Sequence, residues 1–380
     1  MSKLKILSVF GTRPEAIKMA PVVLGLAARE DWSHKVCVTA QHREMLDQIL
    51  DFFDITPDFD LDVMNKCEGR LDKVTAAIVT GLTPILENEK PDLVLVHGDT
   101  NTTLSAALSS YYKKIPVGHV EAGLRTGNIY SPWPEEGNRK LVCNIATLNF
   151  APTKLARDNL ISEGVAPESI WVTGNTVIDA LFVALDRLEK DKQFNSRLAS
   201  RFGMLDPERK LILVTGHRRE NFGKGFKNIC EALRDLGSRD DCQIVYPVHL
   251  NPEVQRPVNQ ILGKVKGNVH LLEPLDYQHF IFLMKRAHIL LTDSGGIQEE
   301  APSLGKPVLL MRDTTERPEA LEAGTVKMLG TDKELIKKET IRLLEDHAAY
   351  ETMSKAHNPF GDGRASLRIQ QAISSWHEAI

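Results

Sequence analysis

The chain alternates short apolar runs with longer stretches in which apolar residues recur every three to four positions. The short runs are typical of strands buried on both faces of a parallel sheet, and the longer stretches are typical of amphipathic helices. In the first half of the chain we predict strands at residues 4–10, 35–39, 93–97 and 117–120. The predicted helices between them include 16–28, 44–53 and 104–112, and Pro21 is expected to kink the first of these.

A second series of the same kind begins near residue 211. Its predicted strands are 211–215, 243–246, 269–272, 289–292 and 307–311, and its predicted helices are 226–236, 252–262, 277–285 and 297–304. The alternation predicts an α/β protein with two doubly wound domains. We place these domains at residues 1–172 and 173–362, followed by a last helix within 363–380. The polar stretch 189–201 is predicted to be a mobile helix–loop of the second domain.

The composition adds limits on partners and compartment. The 380 residues are 42% hydrophobic and 26% charged, which suits two ordinary globular cores. The formal net charge of -4 gives no general attraction to nucleic acid or an anionic membrane, so an anionic ligand needs local positive charge. Five scattered cysteines argue against a disulfide framework or a structural zinc site. Because the chain shows no signal-peptide or membrane-span pattern, we predict a cytoplasmic protein.

Two turns that follow predicted strands have the character of anion sites. In open α/β sheets, ligands bind beyond the carboxyl ends of the strands. Gly11 permits a tight turn after the first strand, and Arg13 then stands at a helix N-terminus, with Lys18 one turn further on. The alternative is a plain strand–helix turn with a solvated arginine.

The second turn follows strand 289–292. Gly295 and Gly296 let the backbone approach a ligand, Ser294 precedes them, and Glu300 lies one turn into the next helix, where it could hold a ribose. Arg317 could join this site, and its alternative is a surface ion pair. Strand 211–215 similarly runs into a basic cluster in which His217 could donate to a leaving phosphate.

The candidate acids follow strands 93–97 and 117–120. Asp99 and Glu121 each lie two residues after a histidine, a pattern that suits a metal. Residues two apart at a strand end need not converge, so we favour buried histidines at 97 and 119 and predict no metal site. Glu135 is predicted to lie in a proline-rich mobile loop, and its alternative is an exposed carboxylate. Because no dinucleotide or P-loop fingerprint follows a strand, we expect no cofactor.

These motifs, taken together and in order, resemble the bacterial non-hydrolysing UDP-N-acetylglucosamine (UDP-GlcNAc) 2-epimerases from residue 4 to about 365. The segments that carry the resemblance are 10–18, 97–100, 118–125, 131–136, 216–221, 293–302 and 312–319. The resemblance implies a glycosyltransferase-B-like fold of two Rossmann-like domains. It further implies an active site in the interdomain cleft and a C-terminal helix that crosses back to the first domain. By the resemblance, we expect a homodimer that interconverts UDP-GlcNAc and UDP-N-acetylmannosamine (UDP-ManNAc). The product would supply bacterial surface polysaccharide.

The resemblance also implies roles for individual residues. The implied ligands of the UDP moiety are Arg13, His217, Arg317, the backbone of Ser294, Gly295 and Gly296, Glu300 at the ribose, and Phe280 and the backbone of Leu275 at the uracil. The implied residues on the sugar side are Lys18, Asp99 and Glu121. The implied catalytic groups are Asp99, Glu121, Glu135 and His217.

Many bacterial members bind a second UDP-GlcNAc as an activator, near the positions of Gln41 and His42. Here Glu44 and Glu68 stand where some relatives carry glutamine, and Cys67 stands where some carry arginine. Two carboxylates near a diphosphate would repel it, which weakens the inference of activation.

Three other functions are alternatives to this interpretation. A retaining UDP-sugar glycosyltransferase is the first alternative, and it would require an acceptor. A hydrolysing 2-epimerase would release free N-acetylmannosamine and UDP. A nucleotide-sugar sensor without turnover is disfavoured by the carboxylates at 99, 121 and 135.

Overall fold

The computed structural model describes residues 3–40, 43–67, 70–265 and 267–379. They form two compact units, Met1–Val183 with Phe360–Ile380 and Ala184–Pro359. Each unit is built on a parallel sheet with helices between its strands, so the predicted α/β class is confirmed. The change of unit falls inside the helix Thr176–Lys190. The domain division that we placed after residue 172 stays a prediction.

The described part of the first unit contains a seven-stranded sheet in the order β3-β2-β1-β4-β5-β6-β7, and every strand pair in it is parallel. The strands are β1 Leu4–Phe10, β2 Trp32–Val38, β3 Phe59–Asp60, β4 Leu93–His97, β5 Val117–Val120, β6 Leu148–Ala151 and β7 Ile170–Val172. The helices are α1 Arg13–Ala27, α2 Arg43–Phe52, α3 Met64–Cys67, α4 Leu71–Glu89, α5 Asn101–Tyr112, α6 Glu135–Cys143, α7 Lys154–Ser162 and α8 Thr176–Lys190.

The described part of the second unit contains a six-stranded parallel sheet in the order β10-β9-β8-β11-β12-β13. The strands are β8 Lys210–Thr215, β9 Cys242–Pro247, β10 Val269–Leu272, β11 Ile289–Thr292, β12 Val308–Leu310 and β13 Val326–Met328. The helices are α9 Lys192–Arg201, α10 Lys224–Leu236, α11 Pro252–Ile261, α12 Tyr277–Arg286, α13 Gly295–Glu300, α14 Pro318–Glu322, α15 Lys333–Glu345 and α16 His347–Ser354.

The last helix, α17 (Ala365–Glu378), belongs to the first unit. Its N-terminus is held by the buried carboxylate of Asp179, which accepts hydrogen bonds from the backbone N–H groups of Ala365 (3.1 Å) and Ser366 (2.8 Å). The hydroxyl of Ser366 donates to the carbonyl oxygen of Pro21 in α1 (2.8 Å). Helix α1 runs on through Pro21 to Ala27, and the kink expected there stays a prediction.

The stretch 189–201, predicted as a mobile helix–loop, is mostly helical, because α8 extends to Lys190 and α9 begins at Lys192. Its mobility stays a prediction. The side chain of Asp191 caps α9 by accepting from the N–H of Phe194 (2.8 Å), and a capped start stabilises a polar helix. In the part of the chain that the structure describes, no helix combines the length and hydropathy needed to cross a membrane.

Candidate active site

The turn between β1 and α1 is fixed by close packing at Gly11. A Cβ atom at this position would lie 1.8 Å from the hydroxyl of Thr39, so only glycine fits. Thr12 then caps α1 in a capping box with Glu15, whose carboxylate accepts from the Thr12 N–H (2.7 Å). Arg13 is therefore the first residue of α1, at the helix N-terminus where the sequence places an anion site.

Glu15 joins this turn to the end of β4. Its second carboxylate oxygen accepts from the hydroxyls of Thr100 (2.7 Å) and Thr103 (3.3 Å). Burial raises the pKa of Glu15, and the hydrogen bonds from Thr100, Thr12 and Gly11 oppose that shift. The buried carboxylate thus fixes two strand ends of the candidate site relative to each other.

Glu121 lies directly after β5 and is surrounded by polar partners. One carboxylate oxygen contacts the ammonium group of Lys18 and accepts from the side-chain amide of Asn175 (3.0 Å). The other lies 3.7 Å from Nε2 of His97. The backbone of Glu121 has a φ of 64°, a left-handed conformation that costs about 1–2 kcal/mol for a residue with a side chain. The surrounding structure therefore holds this carboxylate in a strained, defined position.

The two histidines near the acids are buried, as predicted. Burial lowers the pKa of both His97 and His119 to about 4, so both rings are neutral at pH 7. Nε2 of His119 lies 2.6 Å from the carbonyl oxygen of Gly98, which fixes the ring against the β4 end. Within the described ranges, the structure contains no group of three or more His, Cys, Asp or Glu residues that could hold a metal ion.

Asp99, after β4, is held by α6. The guanidinium of Arg139 contacts its carboxylate, and the amide of Asn138 donates to its carbonyl oxygen (2.8 Å). Arg139 also lies 3.3 Å from the carboxylate of Glu136. Asn138 and Arg139 were not identified from the sequence, because they lie far from Asp99 along the chain.

Glu135 does not lie in a loop, so that prediction was wrong. It is the first residue of α6, and the prolines before it lead into the helix. One of its carboxylate oxygens is buried and has no hydrogen-bond partner among the described residues. A buried polar atom without a partner is costly, so this oxygen is suited to receive a ligand group. The neighbouring Glu136 holds the preceding loop by accepting from the N–H groups of Thr126 and Gly127 (both 3.2 Å).

In the second unit, the candidate histidine follows β8. The ring of His217 stacks on the ring of His249, with centroids 5.5 Å apart. His249 follows β9, and β9 pairs with β8, so both histidines follow neighbouring strands. This position after a predicted strand could have identified His249 as a candidate from the sequence. Burial lowers the pKa of His217, and Asp293, after β11, opposes this shift.

Arg317 packs directly against the turn that begins α13. A Cβ atom on Gly295 would lie 2.5 Å from an Nη atom of Arg317. The guanidinium donates to Glu299 (2.6 Å) and to Glu316 (2.6 Å), and its side chain is only 12% exposed. The alternative of a surface ion pair is therefore wrong. Burial raises the pKa of Glu316, but Arg317 and Arg312 outweigh it and bring that pKa to about 2.

The remaining candidates of the second unit follow β10 and β11 along the chain. Glu300 is the last residue of α13 and is buried. Leu275 is buried before α12, and Phe280 is half-buried on that helix. Of the candidate activator site, Gln41, His42 and Glu68 lie outside the described residues. Glu44 is exposed on α2, whereas Cys67 packs in an apolar cluster with Val63, Val74 and Ile78.

Comparison with known proteins supports the resemblance that the motifs predict. The UDP-N-acetylglucosamine 2-epimerase of Escherichia coli O157:H7 is 59% identical over 373 residues, which cover 98% of this chain and 99% of that protein. The crystal structure of UDP-GlcNAc 2-epimerase from Neisseria meningitidis bound to UDP-GlcNAc matches with a TM-score of 0.90 and 51% identity, covering 98% of this chain and 100% of that chain. The Methanocaldococcus jannaschii UDP-GlcNAc 2-epimerase in complex with UDP-GlcNAc and UDP matches with a TM-score of 0.79 and 33% identity, covering 98% and 100%.

A family model described as UDP-N-acetylglucosamine 2-epimerase matches residues 25–374. The matched region contains Asp99, Glu121 and Glu135 of the first unit and the turn that begins α13 in the second. Since the model spans most of the chain and relatives are more than half identical over nearly its full length, the chain belongs to the UDP-N-acetylglucosamine 2-epimerase family.

Proposed function

We propose that the protein catalyses the reversible, non-hydrolysing epimerisation of UDP-GlcNAc at C2, giving UDP-ManNAc. The observation that carries the proposal is the placement of Glu121 in a strained backbone, in contact with Lys18 and Asn175. The lysine favours the ionised carboxylate, which is the form that a general base requires. The resemblance adds that the product supplies surface polysaccharide and that the enzyme is a cytoplasmic homodimer.

The chemistry follows from the weak acidity of the C2 proton. In the substrate, C2–H is not adjacent to a carbonyl group, so direct removal of the proton is difficult. If the C1–O bond breaks first, the electron pair leaves with UDP and C1 becomes oxocarbenium-like. A carboxylate can then take the C2 proton, which yields 2-acetamidoglucal. Re-addition of UDP at C1, with a proton delivered to the opposite face of C2, gives the epimer.

The two faces of C2 require two proton-transfer groups, and the first unit supplies several candidates. Glu121 contacts the ammonium group of Lys18, and Glu135 has a buried carboxylate oxygen without a partner among the described residues. Asp99 is held by Arg139. We assign proton transfer at C2 to this group of acids.

The second unit is proposed to bind the UDP moiety. The developing charge in the elimination lies on the diphosphate, so cations and helix N-terminal N–H groups stabilise the transition state. Arg317, backed by Glu299 and Glu316, is positioned at the first residues of α13. Arg13 and His217 are proposed to contact the same diphosphate, Glu300 the ribose, and Phe280 with the backbone of Leu275 the uracil.

Product analysis separates this proposal from its alternatives. Purified protein incubated with UDP-GlcNAc alone is expected to give a mixture of UDP-GlcNAc and UDP-ManNAc, identified by NMR. Accumulation of free N-acetylmannosamine and UDP would instead identify a hydrolysing enzyme. Turnover that occurs only after an acceptor sugar is added would identify a glycosyltransferase.

The reaction is expected to need neither a metal ion nor a nicotinamide cofactor. The elimination route uses no hydride acceptor, and Arg13 and Arg317 supply the positive charge that a divalent ion would otherwise provide. Protein dialysed against EDTA should therefore keep its full rate of UDP-ManNAc formation without added NAD. Complete loss of turnover that only a divalent ion restores would contradict this prediction.

Substitution of Gly295 by alanine is expected to weaken UDP binding by roughly tenfold, about 1.4 kcal/mol. The new methyl group would displace the guanidinium of Arg317, which already lies 2.5 Å from the Cβ position. Titration calorimetry with UDP measures the effect. The matched control is Gly137→Ala in α6, where a Cβ atom meets only Ile129 at 3.7 Å. Equal UDP affinity of the wild type and Gly295→Ala would place the diphosphate elsewhere.

A further inference from the structure

Asp293 occupies an unusual position directly after β11. Its side chain is fully buried, and one carboxylate oxygen, Oδ2, accepts from the backbone N–H groups of His217 and Arg218 (both 2.8 Å). The side-chain amide of Asn221 donates to the same oxygen (3.3 Å). These three donors fix the carboxylate beneath the turn that follows β8.

The other oxygen, Oδ1, is differently placed. It is buried and has no hydrogen-bond partner among the described residues, and it lies 3.5 Å from Nδ1 of His217. Hydrogen bonds of catalytic groups are often long before substrate binds and shorten in the complex. A small rotation of the imidazole would bring Nδ1–H within hydrogen-bond distance of Oδ1.

We propose that Asp293 is a positioning residue for His217: Oδ1 accepts a hydrogen bond from Nδ1–H, so that Nε2 is the ring nitrogen presented to the diphosphate. This inference rests on the proposed function, since it deepens the role of His217. When the C1–O bond breaks, the electron pair passes to the phosphate oxygen. The protonated ring donates a hydrogen bond from Nε2 to that oxygen, and the proton stays on Nε2, so the ring is unchanged when UDP adds back.

The negative charge of Asp293 affects the protonation of the His217 ring as well as its orientation. Burial lowers the pKa of His217, and the neighbouring Arg218 and His249 lower it further. Asp293 is the group that raises it. Removing the negative charge should therefore make the imidazolium form harder to populate, and the ring should lose its proton at a lower pH.

The substitution Asp293→Asn separates this role from a purely structural one. The amide oxygen of asparagine can still accept from the N–H groups of His217 and Arg218. Its NH₂ group would then stand where Oδ1 stands and would donate to Nδ1, which forces the proton of a neutral ring onto Nε2. We expect kcat to fall by roughly 10–100-fold, because the uncharged amide no longer favours the protonated ring. This loss is smaller than the roughly 10²–10³-fold that removal of a whole transition-state donor costs.

The pH profile is the readout that a structural defect would not move. The loss of kcat/KM at alkaline pH should occur at a lower pH in Asp293→Asn than in the wild type. Glu351→Gln is the matched control, because Glu351 lies 3.9 Å from His347 in an exposed pair of the same unit. This variant should keep the wild-type kcat and alkaline limb. An unshifted alkaline limb in Asp293→Asn would overturn the proposal.

A measurement on the wild type covers the case in which Asp293→Asn does not fold. Protein labelled with ¹⁵N-histidine is examined by long-range ¹H–¹⁵N NMR at a pH where His217 is neutral, and His217→Gln assigns its signals. The expected tautomer of the neutral ring carries its proton on Nδ1, and Nε2 is unprotonated. A proton on Nε2 of the neutral ring would overturn the proposal. Because this measurement needs no turnover, it stands even if UDP-GlcNAc proves not to be the substrate.

Discussion

Glu121→Gln is expected to lower kcat by about 10²–10⁴-fold, the loss associated with removing a positioned proton-transfer group. Glutamine has nearly the same shape and can still accept from Lys18 and Asn175 through its carbonyl oxygen. It cannot take up the C2 proton. Because the UDP moiety is assigned to other residues, the affinity for UDP should stay within about threefold of the wild-type value, a change smaller than the tenfold that 1.4 kcal/mol would give.

The control for this variant is Glu168→Gln, which changes an exposed carboxylate of the same unit. It should leave kcat unchanged. The initial rate of UDP-ManNAc formation, followed by NMR, checks both variants. If Glu121→Gln retained more than a tenth of the wild-type kcat, Glu121 would not be a proton-transfer group for C2.

Arg317→Ala should have the largest effect on UDP binding. Charge-assisted hydrogen bonds to phosphate contribute about 1.5–3 kcal/mol, which corresponds to roughly 10–150-fold in affinity. The variant also leaves Glu299, which is 1% exposed, without this ion pair, and breaking a buried pair costs about 3–5 kcal/mol. The free energy of unfolding of the second unit should therefore fall too.

Titration calorimetry with UDP and thermal unfolding measure these two effects. Arg256→Ala is the control, because Arg256 is 72% exposed and pairs with Glu253 at the surface. It should change neither UDP affinity nor stability appreciably. Wild-type UDP affinity in Arg317→Ala would refute the assignment of this residue to the diphosphate.

The sequence predicted the strands that carry the site, because buried parallel strands are continuous apolar runs. Residues 4–10, 93–97, 117–120, 269–272 and 289–292 are strands in the structure with these same bounds. The short strands β3, β6, β7 and β13 were not predicted. The strand form of these segments depends on pairing with neighbouring strands in the sheet, which the local sequence does not show.

Glu135 shows how a local rule can mislead. Prolines at 132 and 134 suggested a loop, yet they lie just before α6, with Pro134 as its N-cap, where a missing N–H costs no intrahelical hydrogen bond. The carbonyl oxygens of Pro132 and Pro134 accept from the N–H groups of Glu136 and Asn138 (3.1 and 3.0 Å). The prolines thus lead into α6, and the acid stands at a helix N-terminus.

The residues that hold the acids and the histidine could not be predicted, because they are distant in the chain. Arg139 contacts Asp99 from a position 40 residues away, and Asn175 reaches Glu121 across 54 residues. Asp293 lies 76 residues from His217. Spacing along the chain carries no signal for such contacts, which arise only when the strand ends are assembled.

The most direct test of the account is one NMR analysis of the product formed in heavy water from UDP-GlcNAc labelled with ¹⁸O in the C1–O–P bridge. Elimination and re-addition break both C2–H and C1–O. We therefore expect UDP-ManNAc that carries deuterium at C2, with part of the ¹⁸O moved to non-bridging phosphate positions. UDP-ManNAc that retains protium at C2 and all of its label in the bridge would contradict this expectation.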